Sequence, residues 1–235
     1  MIRVEPQNYT DGRDTFIGRH IWDDGLSGER PGMLVAPSFM GLGPFEEERG
    51  KELAALGYAV LAVDFYGDGK RGADRAEASR MMGALDADRP AIALRMAAAL
   101  AALKALDTVD ASRTGAMGYC FGGKCVLDLA RSGADFQAVA TFHGVFDAPG
   151  HRVGTIVPAA LILHGWDDPL ATPEAVTELA AELTEICADW QILAFGHTGH
   201  AFTNPDAAAP GMAFNRTARD RSWQALVSFL GETLG

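Results

Sequence analysis

Short apolar runs alternate along the chain with longer stretches whose apolar residues recur at helical spacing. Runs at 15–22, 32–37, 58–64, 114–117, 138–142, 159–163 and 190–195 read as strands, several apolar throughout, as in strands buried on both faces. Stretches at 44–56, 88–106, 122–131, 173–187 and 216–234 read as helices, and Asp88 with Pro90 forms a start signal for the second of them. This rhythm predicts an α/β fold, a mostly parallel central sheet with helices on both faces. The segment 66–86 is polar and glycine-bearing and reads as a lid or surface excursion without regular structure, its Arg71, Arg75 and Arg80 as a solvated face. No Pro-, Gly- or Ser-rich linker and no internal repeat divides the sequence, so one domain over 1–235 is expected.

Composition narrows the class of function. A chain of 235 residues, 48% hydrophobic, can bury a large core without staples. Its formal charge of −11 opposes phosphate backbones and anionic lipid, so neither nucleic acid nor membrane is expected as a partner. The run 91–106 is interrupted by Arg95 and Lys104 and suits a packed helix, and the N-terminal residues lack a secretory signal pattern. Three cysteines, Cys120, Cys125 and Cys187, make no disulfide framework and no Cys-x-x-Cys, which points to a reducing cytoplasm and to no structural metal.

Candidate chemistry centres on Gly118-Tyr119-Cys120-Phe121-Gly122, a G-x-C-x-G between a strand and a helix. This is the pattern of a nucleophile elbow, where a strained turn exposes the central side chain and leaves the next N–H free for an oxyanion. A free thiol, with a pKa near ~8.5, needs an imidazole partner to react readily at neutral pH. In the order nucleophile, acid, histidine, the later loops offer Asp167 or Asp168 after the strand ending in Leu163-His164-Gly165, and His197 or His200 after Phe195. Cys125 and Cys187, on helices, read as core. His164 and His143 read as structural hydrogen bonders at strand ends, though His143 is also placed to line a pocket. Asp64 reads as a turn former.

Four stretches, YAVLAVDFYGDG at 58–69, MGYCFGG at 117–123, LHGWDDP at 163–169 and GHAFTNP at 199–205, resemble the dienelactone hydrolase family of α/β-hydrolases, and the resemblance spans nearly the whole chain. It implies an α/β-hydrolase fold and hydrolysis of carboxylic esters or lactones through a thioester, with no cofactor. By it Cys120 is the nucleophile, Asp168 orients the imidazole, and His200 is the base and then the acid. The oxyanion donors are the N–H groups of Phe39 and Phe121, and Ser38, His143, Trp166 and Phe202 are candidates for the substrate pocket. Two positions depart from the family. Ser38 stands where members usually carry a glutamate that helps control the thiol, leaving activation to His200. Asn204 stands where members acting on carboxylate-bearing lactones place an arginine.

The same triad would also serve a thioesterase or a general carboxylesterase. A glutaminase with a cysteine elbow would carry His-x-Glu, and none of the six histidines has Glu two positions later. A non-enzymatic thiol-sensing or binding module on the same scaffold is the remaining class.

Overall fold

The computed structural model describes residues 1–150 and 154–235. Eight strands form one sheet: β1 (Ile2–Thr10), β2 (Thr15–Asp23), β3 (Arg30–Ala36), β4 (Ala59–Ala62), β5 (Val109–Tyr119), β6 (Ala138–Phe142), β7 (Ala159–Gly165) and β8 (Trp190–Phe195). Their order is β1-β2-β4-β3-β5-β6-β7-β8; β1, β2 and β4 pair antiparallel, and β4, β3 and β5 to β8 run parallel. The helices are α1 (Pro44–Ala55), α2 (Arg75–Asp86), α3 (Arg89–Lys104), α4 (Phe121–Arg131), α5 (Pro173–Ile186) and α6 (Arg216–Thr233), and a two-residue pair, β9 (Ala208–Ala209) with β10 (Met212–Ala213), lies before α6.

The pleat divides the core in two. Leu34, Val139 and Ile162 point to the face covered by α2 to α5, whereas Met33, Val35, Ala140 and Leu163 point to the face covered by α1 and α6. Both faces of β3, β4, β6, β7 and the second half of β5, 114–119, are therefore buried, which is why these stretches are largely apolar. The cap read at Asp88 is present, its side chain accepting the Ala91 N–H at 3.1 Å.

Two elements depart from the sequence reading. The segment 66–86 is not irregular throughout, since Asp74 caps α2 by accepting the Glu77 N–H. Only Ala78 and Leu85 of α2 are buried, too few to make an apolar stripe in the sequence. The edge strand β1 is half exposed and its apolar residues are spaced among charged ones, so propensity alone does not mark it.

At the carboxyl end of β4, Asp64 closes the turn toward 66–69. Its two carboxylate oxygens, 1% exposed, accept N–H groups of Ile17 and Gly69 on one side and of Tyr66 and Gly67 on the other, all at 2.8–3.0 Å. Hydrogen bonds to a charged acceptor contribute about 1.5–3 kcal/mol each, so Asp64 holds β2 and the segment bearing Tyr66 in one frame. α4 is tied down by ion pairs from its buried side chains: Arg89 to Asp128 at 2.6 Å, Arg131 to Glu182 at 2.6 Å, and Lys124 to the partly exposed Asp86 at 2.7 Å and Asp147 at 2.8 Å. The helix that starts at the elbow is thus anchored to α2, α3 and α5.

Candidate active site

Cys120 sits between β5 and α4 with φ 55° and ψ −117°, a backbone conformation that non-glycine residues rarely hold. Glycines make the turn possible. A Cβ on Gly118 would collide with the backbone of Gly122, and one on Gly123 would come within 2.9 Å of the Gly144 Cα. Phe121 is the first residue of α4, so its N–H has no acceptor within the helix, and Cys120 is the cap residue at the helix's N-terminus.

Strand ends bring the partners to this edge. Asp168 follows β7, its N–H bonded to the Gly165 carbonyl, and its Oδ1 accepts the Leu170 N–H at 2.8 Å. His200 lies in the loop after β8. Its Nδ1 stands 2.7 Å from Asp168 Oδ2, with both side chains buried. The competing pair, Asp167 and His197, lies in solvent, 3.9 Å apart on side chains that are half or fully exposed.

Burial disfavours the charged form of His200, but the Asp168 hydrogen bond and the interaction with Cys120 outweigh it and raise the pKa to about 10. With Nδ1 engaged by Asp168, Nε2 is closed to solvent and has no hydrogen-bond partner among the described residues. A histidine whose pKa rises from ~6.5 on folding contributes stability that is full below pH ~6.5 and is lost as pH climbs to about 10. The margin in unfolding free energy of the wild type over His200→Gln, from denaturant melts between about pH 6 and about pH 10, is therefore expected to shrink steadily. A margin that stays flat, or widens, would contradict the charged ring.

A cavity of about 1280 Å³ opens on Cys120 and His200. Ser38, Phe39, Phe121 and His143 line it. Two pocket candidates do not. Trp166 stands on the outer surface, 44% exposed, and Phe202 is wholly buried, packed on Phe195 and edge-on to His143. Both neighbour site residues in sequence, but the β7 turn and the loop after β8 aim their side chains away from the cavity.

His143 is buried, with Nε2 2.8 Å from the Thr203 hydroxyl and its ring edge-on to His200 at 5.0 Å. Burial and the neighbouring His200 charge push its pKa well below the usual imidazole range, so it is neutral beside a charged ring.

Several wall residues carried no signal in the sequence. Arg71 and Arg75 are exposed, as a solvated face requires, and also stand in the cavity wall, with the Arg75 guanidinium 5.4 Å over the Phe39 ring; Arg49, Arg216 and Arg219 add further cations. Glu46 of α1 also lines the cavity, 3% exposed, and burial raises its carboxyl to about pKa 7 against the opposing hydrogen bonds from Ser38 and Gly43 N–H groups. The only local sign of Glu46 is its place three residues into a helix after Gly43, the position from which a glutamate bonds back to the cap N–H.

An eight-stranded, mostly parallel sheet with a cysteine on its strand-to-helix turn and an Asp–His pair on later loops defines an α/β-hydrolase fold. Residues 20–234 match the profile of the dienelactone hydrolase family, and the chain belongs to that family of hydrolases acting on ester bonds. A dienelactone hydrolase-like promiscuous phosphotriesterase from metagenomic libraries is similar over all of this chain and 99% of its own, with 39% identity and a TM-score of 0.93. An uncharacterized protein of Caenorhabditis elegans is 35% identical over 144 residues, 59% of this chain and 91% of its own length. A probable 2-oxo-3-(5-oxofuran-2-ylidene)propanoate lactonase of Bradyrhizobium sp. is 23% identical over 203 residues, 82% of this chain and 79% of its own.

Proposed function

We propose that the protein hydrolyses small carboxylic esters or lactones through a thioester on Cys120. The observation that carries this reading is the strained cysteine at the elbow, set in the wall of one cavity with His200, whose buried partner is Asp168. Cys120 Sγ attacks the carbonyl carbon, and the oxyanion is held by the N–H groups of Phe39 and Phe121. The C–O bond to the leaving group breaks, and His200 Nε2 passes its proton to the departing alkoxide. The neutral imidazole then takes a proton from water, and the hydroxide adds to the thioester. The thiolate is expelled, the acid leaves, and the Cys120–His200 ion pair is restored. Asp168 keeps Nδ1 protonated so that Nε2 is the nitrogen that exchanges protons.

The test is a panel of esters, lactones and thioesters, quenched in acid during turnover and read by mass spectrometry. An acyl mass addition on the peptide containing Cys120 is expected with at least one substrate. Turnover that leaves Cys120 unmodified, with the label on another residue, would sink the thioester route. A second reading, hydrolysis of phosphotriesters, is favoured by the 39% identity to a promiscuous phosphotriesterase. Phosphotriesters in the same panel test it.

A further inference from the structure

The loop 38–43 between β3 and α1 carries Phe39, and its conformation decides where the Phe39 N–H points. Each peptide unit around that N–H is held by a specific partner. The Ser38 N–H is 3.3 Å from Glu46 Oε1, and the other oxygen of the same carboxylate, Oε2, accepts the Gly43 N–H at 2.9 Å, so one buried side chain grips both ends of the loop. The Ser38 carbonyl, in the same peptide unit as the Phe39 N–H, accepts the Gly41 N–H at 3.0 Å. On the far side, the Tyr66 hydroxyl donates to the Phe39 carbonyl at 2.7 Å.

Tyr66 is itself held from outside the loop. Its N–H bonds to Asp64, its ring packs edge-on against Phe65, and Phe65 packs edge-on against Phe121, which bears the other oxyanion N–H. The two proposed donors thus share one support although they come from loops 82 residues apart in sequence. Burial, with the nearby thiols, keeps the Tyr66 phenol well above its ordinary pKa, so it remains a donor.

We propose that Glu46 and Tyr66 are positioning residues that fix the peptide plane of Phe39, so that its N–H is aimed at the oxyanion before substrate arrives. This rests on the reading of Phe39 as an oxyanion donor. Two acceptor oxygens are needed at Glu46, because the ionised carboxylate receives two N–H groups and the protonated acid offers one oxygen as a donor instead. Arg71, after β4, faces the carboxylate, and Tyr119 of β5 lies within its electrostatic reach, with Arg49 and Glu52 of α1 and Arg219 of α6 acting on that tyrosine in turn. With its carboxyl at about pKa 7, Glu46 lets go of one end of the loop as pH falls through neutrality.

The experiment compares wild type, Tyr66→Phe, Glu46→Gln, the double variant and Cys120→Ala in ester hydrolysis, with kcat and KM measured across pH and thermal midpoints recorded. Tyr66→Phe and Glu46→Gln are each expected to lower kcat roughly tenfold, since misplacing a reacting group by a fraction of an ångström weakens transition-state contacts more than ground-state ones. KM is expected to change much less. The double variant loses less than the product of the two single effects, because both act on one loop. The fall of wild-type kcat below about pH 7 is expected to vanish in Glu46→Gln, whose amide does not titrate in this range. Wild-type kcat in Tyr66→Phe, or a pH limb unchanged in Glu46→Gln, overturns the proposal; if Glu46→Gln does not fold, Tyr66→Phe alone decides. Full activity in Cys120→Ala would instead overturn the thioester reading beneath it.

Discussion

Cys120→Ala is expected to lower kcat/KM for every ester the protein hydrolyses by roughly four to six orders of magnitude, the scale on which removal of a nucleophile is felt when the residues of a triad act together. The fold offers no other thiol to take its place: Cys125 is buried on α4, where burial pushes its pKa well up, and Cys187 is buried beside β8. Alanine retains the Cβ and the same φ of 55°, so the strain of the elbow is unchanged and the thermal midpoint should move little. The loss then reports chemistry and not unfolding. Residual activity within tenfold of wild type would show that hydrolysis runs through another group, most directly through water activated by His200.

Gly122→Ala carries the second large effect, and it acts on structure first. A Cβ at this position would fall inside contact distance of the Ala36 and Pro37 carbonyl oxygens at the end of β3. Those atoms are sheet backbone and cannot swing aside as a side chain would. The first turn of α4 must move away from β3, and with it the distance between the Phe121 N–H and the loop carrying Phe39. Overpacking of this kind costs about 3 kcal/mol, or roughly 6–12 °C in thermal midpoint for a chain of this size, together with a fall in kcat. Gly83, on α2, is the matched control: nothing among the described residues lies within 4 Å of a Cβ there, so Gly83→Ala should be neutral or slightly stabilising. Equal midpoints for the two variants would mean that the elbow is not packed against β3 as described.

Where the sequence was readable, the cause was local or periodic. β3, β6, β7 and the second half of β5 are buried on both faces, which demands near-continuous apolar residues and makes them visible as runs. The turn at Cys120 needs glycines at 118 and 122 because of contacts within a few residues and with the neighbouring strand end, so its pattern is short and recognisable. By contrast β1 meets solvent along half its length, and α2 buries only two side chains, so neither imposes a period strong enough to read.

The same division runs through the site. Order along the chain narrowed the acid to Asp167 or Asp168 and the histidine to His197 or His200, and family resemblance chose within each pair. The structure puts the chosen two together in the interior and the other two in solvent. Nothing in the spacing says that Trp166 faces outward while Phe202 sinks into the core, since that depends on the direction in which each loop leaves its strand.

By itself, then, the sequence determined a mostly parallel α/β sheet, a cysteine elbow and the order of its candidate partners, because these depend on burial period, on glycine and on chain direction. Only the tertiary structure decided which side chains meet at the cavity. Glu46 reaches Ser38 from a helix, Tyr66 reaches Phe39 from another strand end, and Arg71 and Arg75 turn into the wall. Such contacts join residues remote in sequence and leave no periodic trace, since each needs only one side chain of the right length at the right place.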